Sequence, residues 1–302
     1  MKPQLKADLA MLLVTLFWGS SYLFMQMGLT DLQTFNFIAL RFLLAFVLAG
    51  LFFRRRILRT HRKTLGKAFV LGTLLFGVFV TITTGLKTTT ASQAGFLVSL
   101  TVIFVPFLSM LLRQIPPPRV FLGAFLALIG IGLLTLNSQL EISRGDLLCI
   151  LGAVFYAIHI IVTGRWANQS DPLQLGVYQL GFTGLLGLLF SLALETPRLP
   201  VTPEAWFAVL MLGIFCSAVG FVVQTVAQQY TTPTHTALIF SMEPVFAVAI
   251  AFLVTGEMLS LRGYVGAALV LFSILIAEMD LGKWLRRKSS KKLAVTEKNV
   301  QA

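Results

Sequence analysis

Apolar runs of about twenty residues recur along the chain, separated by short polar connections. Wound as a helix, a run of that length matches the hydrocarbon core of a bilayer. Ten such runs are found, at 8–29, 34–53, 67–86, 92–112, 119–137, 146–164, 173–194, 204–228, 234–255 and 262–280. They predict an all-α integral membrane protein of ten spans, with no room for a soluble domain between them. A few polar residues interrupt the pattern. The stretch IFSMEPVFA, Ile239 to Ala247, sets Glu243 and Pro244 near the centre of the ninth run. A carboxylate is expensive there and a proline weakens a helix.

Composition agrees with the pattern. Of 302 residues, 57% are hydrophobic and 12% charged, with mean hydropathy +0.85. That is more apolar surface than a water-soluble fold can cover. The formal charge of +12 would suggest nucleic acid in a soluble protein. Here the charge is sorted by side. Nineteen Lys and Arg fall on the side of the two termini and four (Lys87, Arg144, Arg198, Arg262) on the other, leaving Arg41 inside the membrane. This asymmetry predicts cytoplasmic termini and argues against a nucleic-acid partner. Trp166, Trp206 and Trp284 fall near span ends as interfacial anchors, whereas Trp18 does not. Cys149 and Cys216 lie in apolar runs with no disulfide or metal-ligand spacing, and read as small buried hydrophobes. The opening MKPQLKADLAMLLVTLFWGSSYLF lacks an A-x-A-like cleavage site and predicts a retained first helix.

The two halves repeat each other. ADLAMLLVTLFWGSSY from Ala7 matches GDLLCILGAVFYAIHI from Gly145 at offset 138, pairing Asp8 with Asp146, Trp18 with Tyr156, Ser21 with His159 and Arg41 with Gln179. TTTASQAGFLVSLTVIFVPF matches YTTPTHTALIFSMEPVFAVA at offset 142, pairing Gln93 with His235 and Thr101 with Glu243. Five spans per half is an odd number, so the halves enter the membrane from opposite sides about a pseudo-two-fold axis. The expected organisation is a first repeat at 8–137, a second at 145–280, and a basic tail at 281–302, disordered against anionic lipid headgroups.

In FWGSSYLFMQMGL of the first span, RFLLA of the second, TTTASQAGFLVSL leading into the fourth and SMEPVFAVAIAFLVTGEMLSLRGYVGAALV near the end, the chain resembles EamA-type members of the drug/metabolite transporter superfamily. The resemblance covers nearly the whole chain and both repeats. It implies a ten-helix carrier of the bacterial inner membrane, usually an exporter of amino acids, related metabolites or toxic compounds. One departure is clear. LRQIPPPRV stands in the first half where the second has TGEMLSLRG, so the end of the fourth span is expected to be reshaped.

The intramembrane polar residues suggest where a solute would pass. Counted at about 1.5 Å per residue, Trp18 and Tyr156 both come to roughly 15 Å, the midplane. Ser21, Tyr22 and Met25 continue the face of Trp18, as His159, Ile160 and Thr163 continue that of Tyr156. Such a pair can wall a cavity, and plain packing accounts for it equally well. Glu243 lies in the same zone and is expected to titrate or to orient solute, with Pro244 releasing a carbonyl near Phe240. Arg41 differs from Glu243 in depth by roughly 6 Å, within reach of an ion pair or a gate, and a pair or a carbonyl-bonded Arg that only locks helices together fits both residues as well. Ser217, Gly220, Gln224 and Gln228 form a stripe on the eighth span that either lines the path or bonds a neighbouring helix. Gln93 and His235 stand as repeat partners at opposite entrances. Gly181, Gly184, Gly187, Gly263 and Gly266 offer small faces for close helix contact.

Three classes of function compete. A secondary carrier working by alternating access explains the inverted repeat and the lack of a G-x-x-x-x-G-K-[ST] phosphate loop. A membrane-embedded enzyme would need converging acids, a metal cluster or a nucleophile with its base, and only Glu243 is a deep acid. A scaffold or sensor normally carries a soluble output domain. The carrier is the expected function. Its partners are a small-molecule substrate and the bilayer, with no cofactor or metal, as a monomer or weak homodimer. Proton coupling through Glu243 or His159 and uncoupled flux fit the same residues. Few fixed charges beside aromatic, amide and hydroxyl groups suit zwitterionic or mildly amphipathic solutes.

Overall fold

The computed structural model describes residues 3–113, 115–135, 143–255 and 261–278, and among these residues there is no strand. The expected tail at 281–302, Trp284 and most of the linker between the halves lie outside the described residues. The first half comprises α1 (Pro3–Gly19), α2 (Ser21–Leu29), α3 (Thr34–Phe52), the short α4 (Arg54–Ile57), α5 (Arg62–Gly85), α6 (Ala91–Ser99), α7 (Thr101–Leu111) and α8 (Pro118–Thr135). The second comprises α9 (Arg144–Ala167), α10 (Pro172–Leu194), α11 (Pro203–Met211), a π-helical segment (Leu212–Val219), α12 (Gly220–Ala227), α13 (Pro233–Phe240), α14 (Glu243–Thr255) and α15 (Leu261–Glu278).

Among the described residues, seven helical runs are long and apolar enough to cross a membrane: Pro3–Leu29, Thr34–Phe52, Arg62–Gly85, Gln93–Leu111, Arg144–Ala167, Pro172–Leu194 and Pro203–Ala227. The fifth and tenth expected spans fall on shorter apolar helices, α8 and α15, and the ninth is split between α13 and α14. Outward faces carry exposed Leu9, Leu13, Phe69, Phe125, Leu189 and Phe190, the composition of a lipid-facing surface.

The packing obeys the repeat. Helix α3 lies on α10 and α8 on α15, each the partner of its own counterpart. The remaining main contacts exchange in pairs: α1 packs on α12 as α9 packs on α5, and α13 and α14 pack on α1 as α6 and α7 pack on α9. Swapping the halves maps this contact pattern onto itself, as a two-fold axis between them requires. The α3–α10 approach depends on glycine. A methyl group on Gly184 would lie 2.7 Å from the Leu43 nitrogen, and one on Gly187 would lie 2.8 Å from that of Ala39.

Four spans are interrupted, and the interruptions surround the centre. The ninth breaks at Ser241–Met242, where Met242 N–H donates to the Ile239 carbonyl at 3.1 Å. The fourth breaks at Leu100, the repeat counterpart of Met242, where Leu100 N–H donates to the Leu97 carbonyl at 3.2 Å. The counterpart of Pro244 is Val102, so the break recurs without any proline beside it. The helix thus breaks where Pro244 was expected to interrupt it, with α13 ending at Phe240, and the first half breaks at the counterpart position without a proline there. Pro244 sits in the first turn of the new helix, where a missing N–H breaks no bond, and Glu243 opens that helix at its positive end. The first span breaks at Ser20, where Gly19 backs onto the ninth: a methyl there would meet the Ala247 nitrogen at 2.8 Å. The eighth widens into the π-helical segment, which leaves carbonyls free for outside partners.

Candidate functional site

The breaks enclose a cavity of about 40 Å³ between the halves. Trp18, Ser21, Tyr22 and Met25 wall it from the first span, Arg41 from the second, Tyr156 from the sixth and Glu243 from the ninth, with Val78, Phe79, Ile82, Val98 and Phe221 completing the apolar lining. That space holds a few waters or the polar end of a small solute. Trp18 and Tyr156 are only 5% and 7% exposed, with ring centroids 6.2 Å apart at 66°. The expected aromatic pair is therefore a cavity wall, packed edge to face. Phe221 and Phe240 brace Trp18 at 5.2 and 4.9 Å.

A polar frame stands behind this wall. The Trp18 indole donates to the Cys216 carbonyl at 2.8 Å, using a carbonyl of the π-helical segment. Arg41 Nε donates to Ser217 Oγ at 2.6 Å, and its guanidinium lies 4.5 Å from the Phe79 ring centroid and 5.1 Å from that of Phe42. Tyr22 and Glu243 border the same cavity. Arg41 and Glu243 border one cavity, but among the described residues no ion pair joins them; Ser217 is the hydrogen-bond partner of Arg41.

Ser217, Gln224 and Gln228 are fully buried and point between helices, not into the cavity. Gln224 accepts from the Tyr156 hydroxyl at 3.5 Å and donates to Gln228 Oε1 at 3.3 Å, while Gln228 donates to the Ile160 carbonyl at 2.9 Å. His159 is likewise sealed away, its Nε2 2.8 Å from Gln179 Oε1. Gln179 Nε2 donates in turn to Thr225 Oγ1 at 2.9 Å.

At the two faces the repeat builds a matched pair of cross-half contacts. On the amino-terminal face, Asp8 of α1 lies 3.2 Å from His235 Nε2 of α13. On the opposite face, Asp146 of α9 accepts from Thr89 Oγ1, ahead of α6, at 2.5 Å, and the same hydroxyl lies 3.4 Å from Gln93 Oε1. Thr90 and Thr232 cap the helices that carry Gln93 and His235, accepting from those residues' own N–H groups at 3.2 and 3.3 Å. Gln93 and His235 thus stand at opposite entrances as the repeat predicts, each beside the aspartate region of the other half. Asp8 and Asp146 were paired by the repeat, yet an acid at a span end is too ordinary to single out as a latch.

The faces differ in opening. Asp8, Ser109, Arg119, Gln229, Tyr230 and His235 line a vestibule of about 850 Å³ on the amino-terminal side. The three prolines of the departing segment shape its rim through Pro116 and Pro117. On the opposite face a methyl on Gly85 would meet the Gly145 carbonyl at 2.7 Å, so the two backbones touch. Asp31 clamps the same face, accepting from Val201 N–H at 2.6 Å and Thr202 N–H at 3.1 Å and pairing with Arg198 at 3.0 Å. The Thr202 and Val201 backbone donors, with Arg198 adding to them, hold its carboxyl below the ordinary aspartate value.

Comparison with known proteins bears on this geometry. Residues 5–136 and 143–279 each match the EamA-like transporter family. An uncharacterized transporter of Archaeoglobus fulgidus is 29% identical over 277 residues, covering 91% of this chain and 87% of the relative. Uncharacterized transporter YoaV of Bacillus subtilis is 23% identical over 293 residues, covering 94% and 99%. A solved crystal structure superposes with TM-score 0.76 at 20% identity, over 90% of this chain and 96% of that one, which establishes the fold alone.

Proposed function

The chain belongs to the EamA-like transporter family, and from that premise we propose that it is a secondary carrier exporting small amphipathic metabolites, such as amino acids, by alternating access. As a transporter of this family it is a multi-pass membrane protein, not an enzyme, and its partners are a small-molecule substrate and the lipid bilayer. In the proposed arrangement ten crossings form two inverted repeats, 8–137 and 145–280, with both termini cytoplasmic in a bacterial inner membrane. The vestibule then opens to the cytoplasm, the side from which an exporter loads. The molecule works as a monomer or weak homodimer.

One observation carries this reading: the cavity lies between the halves and takes walls from both, with a carboxyl and a guanidinium on its border. Rocking one half against the other about such a site exposes it to either face in turn. Glu243 is the group proposed to carry a proton or to turn the solute. The test is efflux from preloaded vesicles, with and without a pH gradient, for a panel of amino acids, analogues and cationic drugs. Glu243→Gln should insert normally and lose flux by about tenfold or more, since a buried carboxylate of this kind is functional by default. Unchanged flux in that variant would remove Glu243 from the cycle, and a panel without any transported solute would overturn the carrier reading.

A further inference from the structure

We propose that Arg41 is the specificity-determining anchor for a carboxylate on the transported solute, and that this solute is a small zwitterion with an apolar body. The inference rests on the carrier reading and assigns chemistry to its central cavity. Arg41 is 2% exposed, yet its guanidinium is only partly used: Nε donates to Ser217, and the buried Nη1 has no hydrogen-bond partner. A buried charged N–H without a protein acceptor is costly unless a partner in the cavity supplies one. Stacking near Phe79 and Phe42 fixes the guanidinium plane and supplies no acceptor. The residue borders the cavity, so an acceptor brought there by solute completes it.

The repeat supplies an internal control. The counterpart of Arg41 is Gln179 and that of Ser21 is His159. In the second half these two bond each other at 2.8 Å and Gln179 also donates to Thr225, leaving His159 Nδ1 as the atom of that pair without a partner. In the first half Ser21 borders the cavity beside an arginine whose Nη1 is unsatisfied. One half sets a hydrogen-bonded His–Gln pair at the position, away from the cavity, while the other presents a guanidinium to it. A planar guanidinium with spare N–H groups selects carboxylate by fork geometry as well as charge. Glu243 on the same cavity favours a cationic amine on the same solute, and Val78, Ile82, Val98 and Phe221 favour an apolar remainder.

The test uses the full-length protein in lipid nanodiscs, with leucine, methionine and phenylalanine as probes, each beside its carboxamide and its decarboxylated amine. Thermal stabilisation and equilibrium binding are read for wild type, Arg41→Lys and Arg41→Gln. At least one zwitterion is expected to bind wild type, with its amide weaker by about thirtyfold or more, the loss that follows truncation of one buried charged partner. Arg41→Lys keeps the charge without the fork and should bind the zwitterion more weakly than wild type while narrowing the preference over the amide. If Arg41→Gln fails to fold, the amide comparison on wild type and the Lys variant still decide. Equal binding of acid and amide to wild type, an unchanged preference in Arg41→Lys, or no binding by any of the three zwitterions overturns the anchor. In the vesicle assay, flux of a zwitterion that is equal in wild type and Arg41→Gln would sink the anchor and leave the carrier standing; absence of flux for every solute would sink the carrier itself.

Discussion

The two faces of the molecule are built from the same repeated sequence and do different things. At each, an aspartate near the start of one half's first span reaches the residues that begin the other half's fourth. On the amino-terminal face the contact is Asp8 with His235, beside a vestibule of about 850 Å³. On the opposite face it is Asp146 with Thr89, over backbones that touch at Gly85 and Gly145. Duplication kept the geometry, and substitution changed the chemistry of one latch. Asp146 is also tied into its own helix, closing a capping box with Ser143. The closed face is thus held by local and cross-half bonds together, and the open face by the cross-half contact.

The largest effect is expected where closure leaves no space. Gly145→Leu places a side chain against the Gly85 carbonyl and Thr88. Overpacking of about 1–3 kcal/mol should hold the far face apart, cut flux by roughly tenfold and leave the vestibule side unaltered. Normal flux would show that this contact need not close. Next is the unequal cost of the two aspartates. Asp146→Ala removes a cap and a latch and should cost about 1–2 kcal/mol, read as a fall in thermal midpoint. Asp8→Ala removes one cross-half contact and no cap, and should lower the midpoint less. Equal losses would erase the distinction between the faces.

A smaller effect sharpens the comparison directly. His235→Gln gives the vestibule latch the side chain of its counterpart Gln93. The variant loses the Asp8 contact without losing a cap, so its thermal midpoint should fall less than that of Asp146→Ala; an equal fall would make the two latches equivalent. The smallest change concerns Asp31. Its folded value is depressed, so its contribution to stability is present above the unfolded value of about 3.9 and is lost as pH falls through the folded one. Acid unfolding of Asp31→Asn should lack this component, and an identical acid limb in the variant would deny the clamp a role.

Much of this was legible in the hydrophobic pattern and its repeat. Trp18, Tyr22, Arg41, Tyr156 and Glu243 stood out because polar or amphipathic groups at mid-depth contrast with their surroundings, and all five border the cavity. Phe79, Ile82, Val98 and Phe221 border it too, but an apolar side chain in an apolar run has no contrast to reveal it. The stripe on the eighth span was correctly periodic, yet periodicity alone does not say whether a face meets a path or a neighbouring helix. The π-helical segment from Leu212 to Val219 decided that, turning Ser217 toward Arg41 and offering Cys216 to Trp18. The break in the ninth span was sought in Pro244, the residue that usually causes one. Its recurrence at Leu100, where the counterpart of Pro244 is Val102, shows that such a break does not require a proline there.

The central claim is that the two halves alternately close the two faces around one site. It is tested most directly by locking each face in turn with a short thiol-specific cross-linker. In a background of Cys149→Ala and Cys216→Ala with proven flux, Asp8→Cys with His235→Cys would lock the amino-terminal face, and Thr89→Cys with Asp146→Cys the opposite one. Each lock alone should abolish flux, and cleaving the link should restore it to that of the unlinked double variant. Flux that continues with either face locked would contradict alternating access.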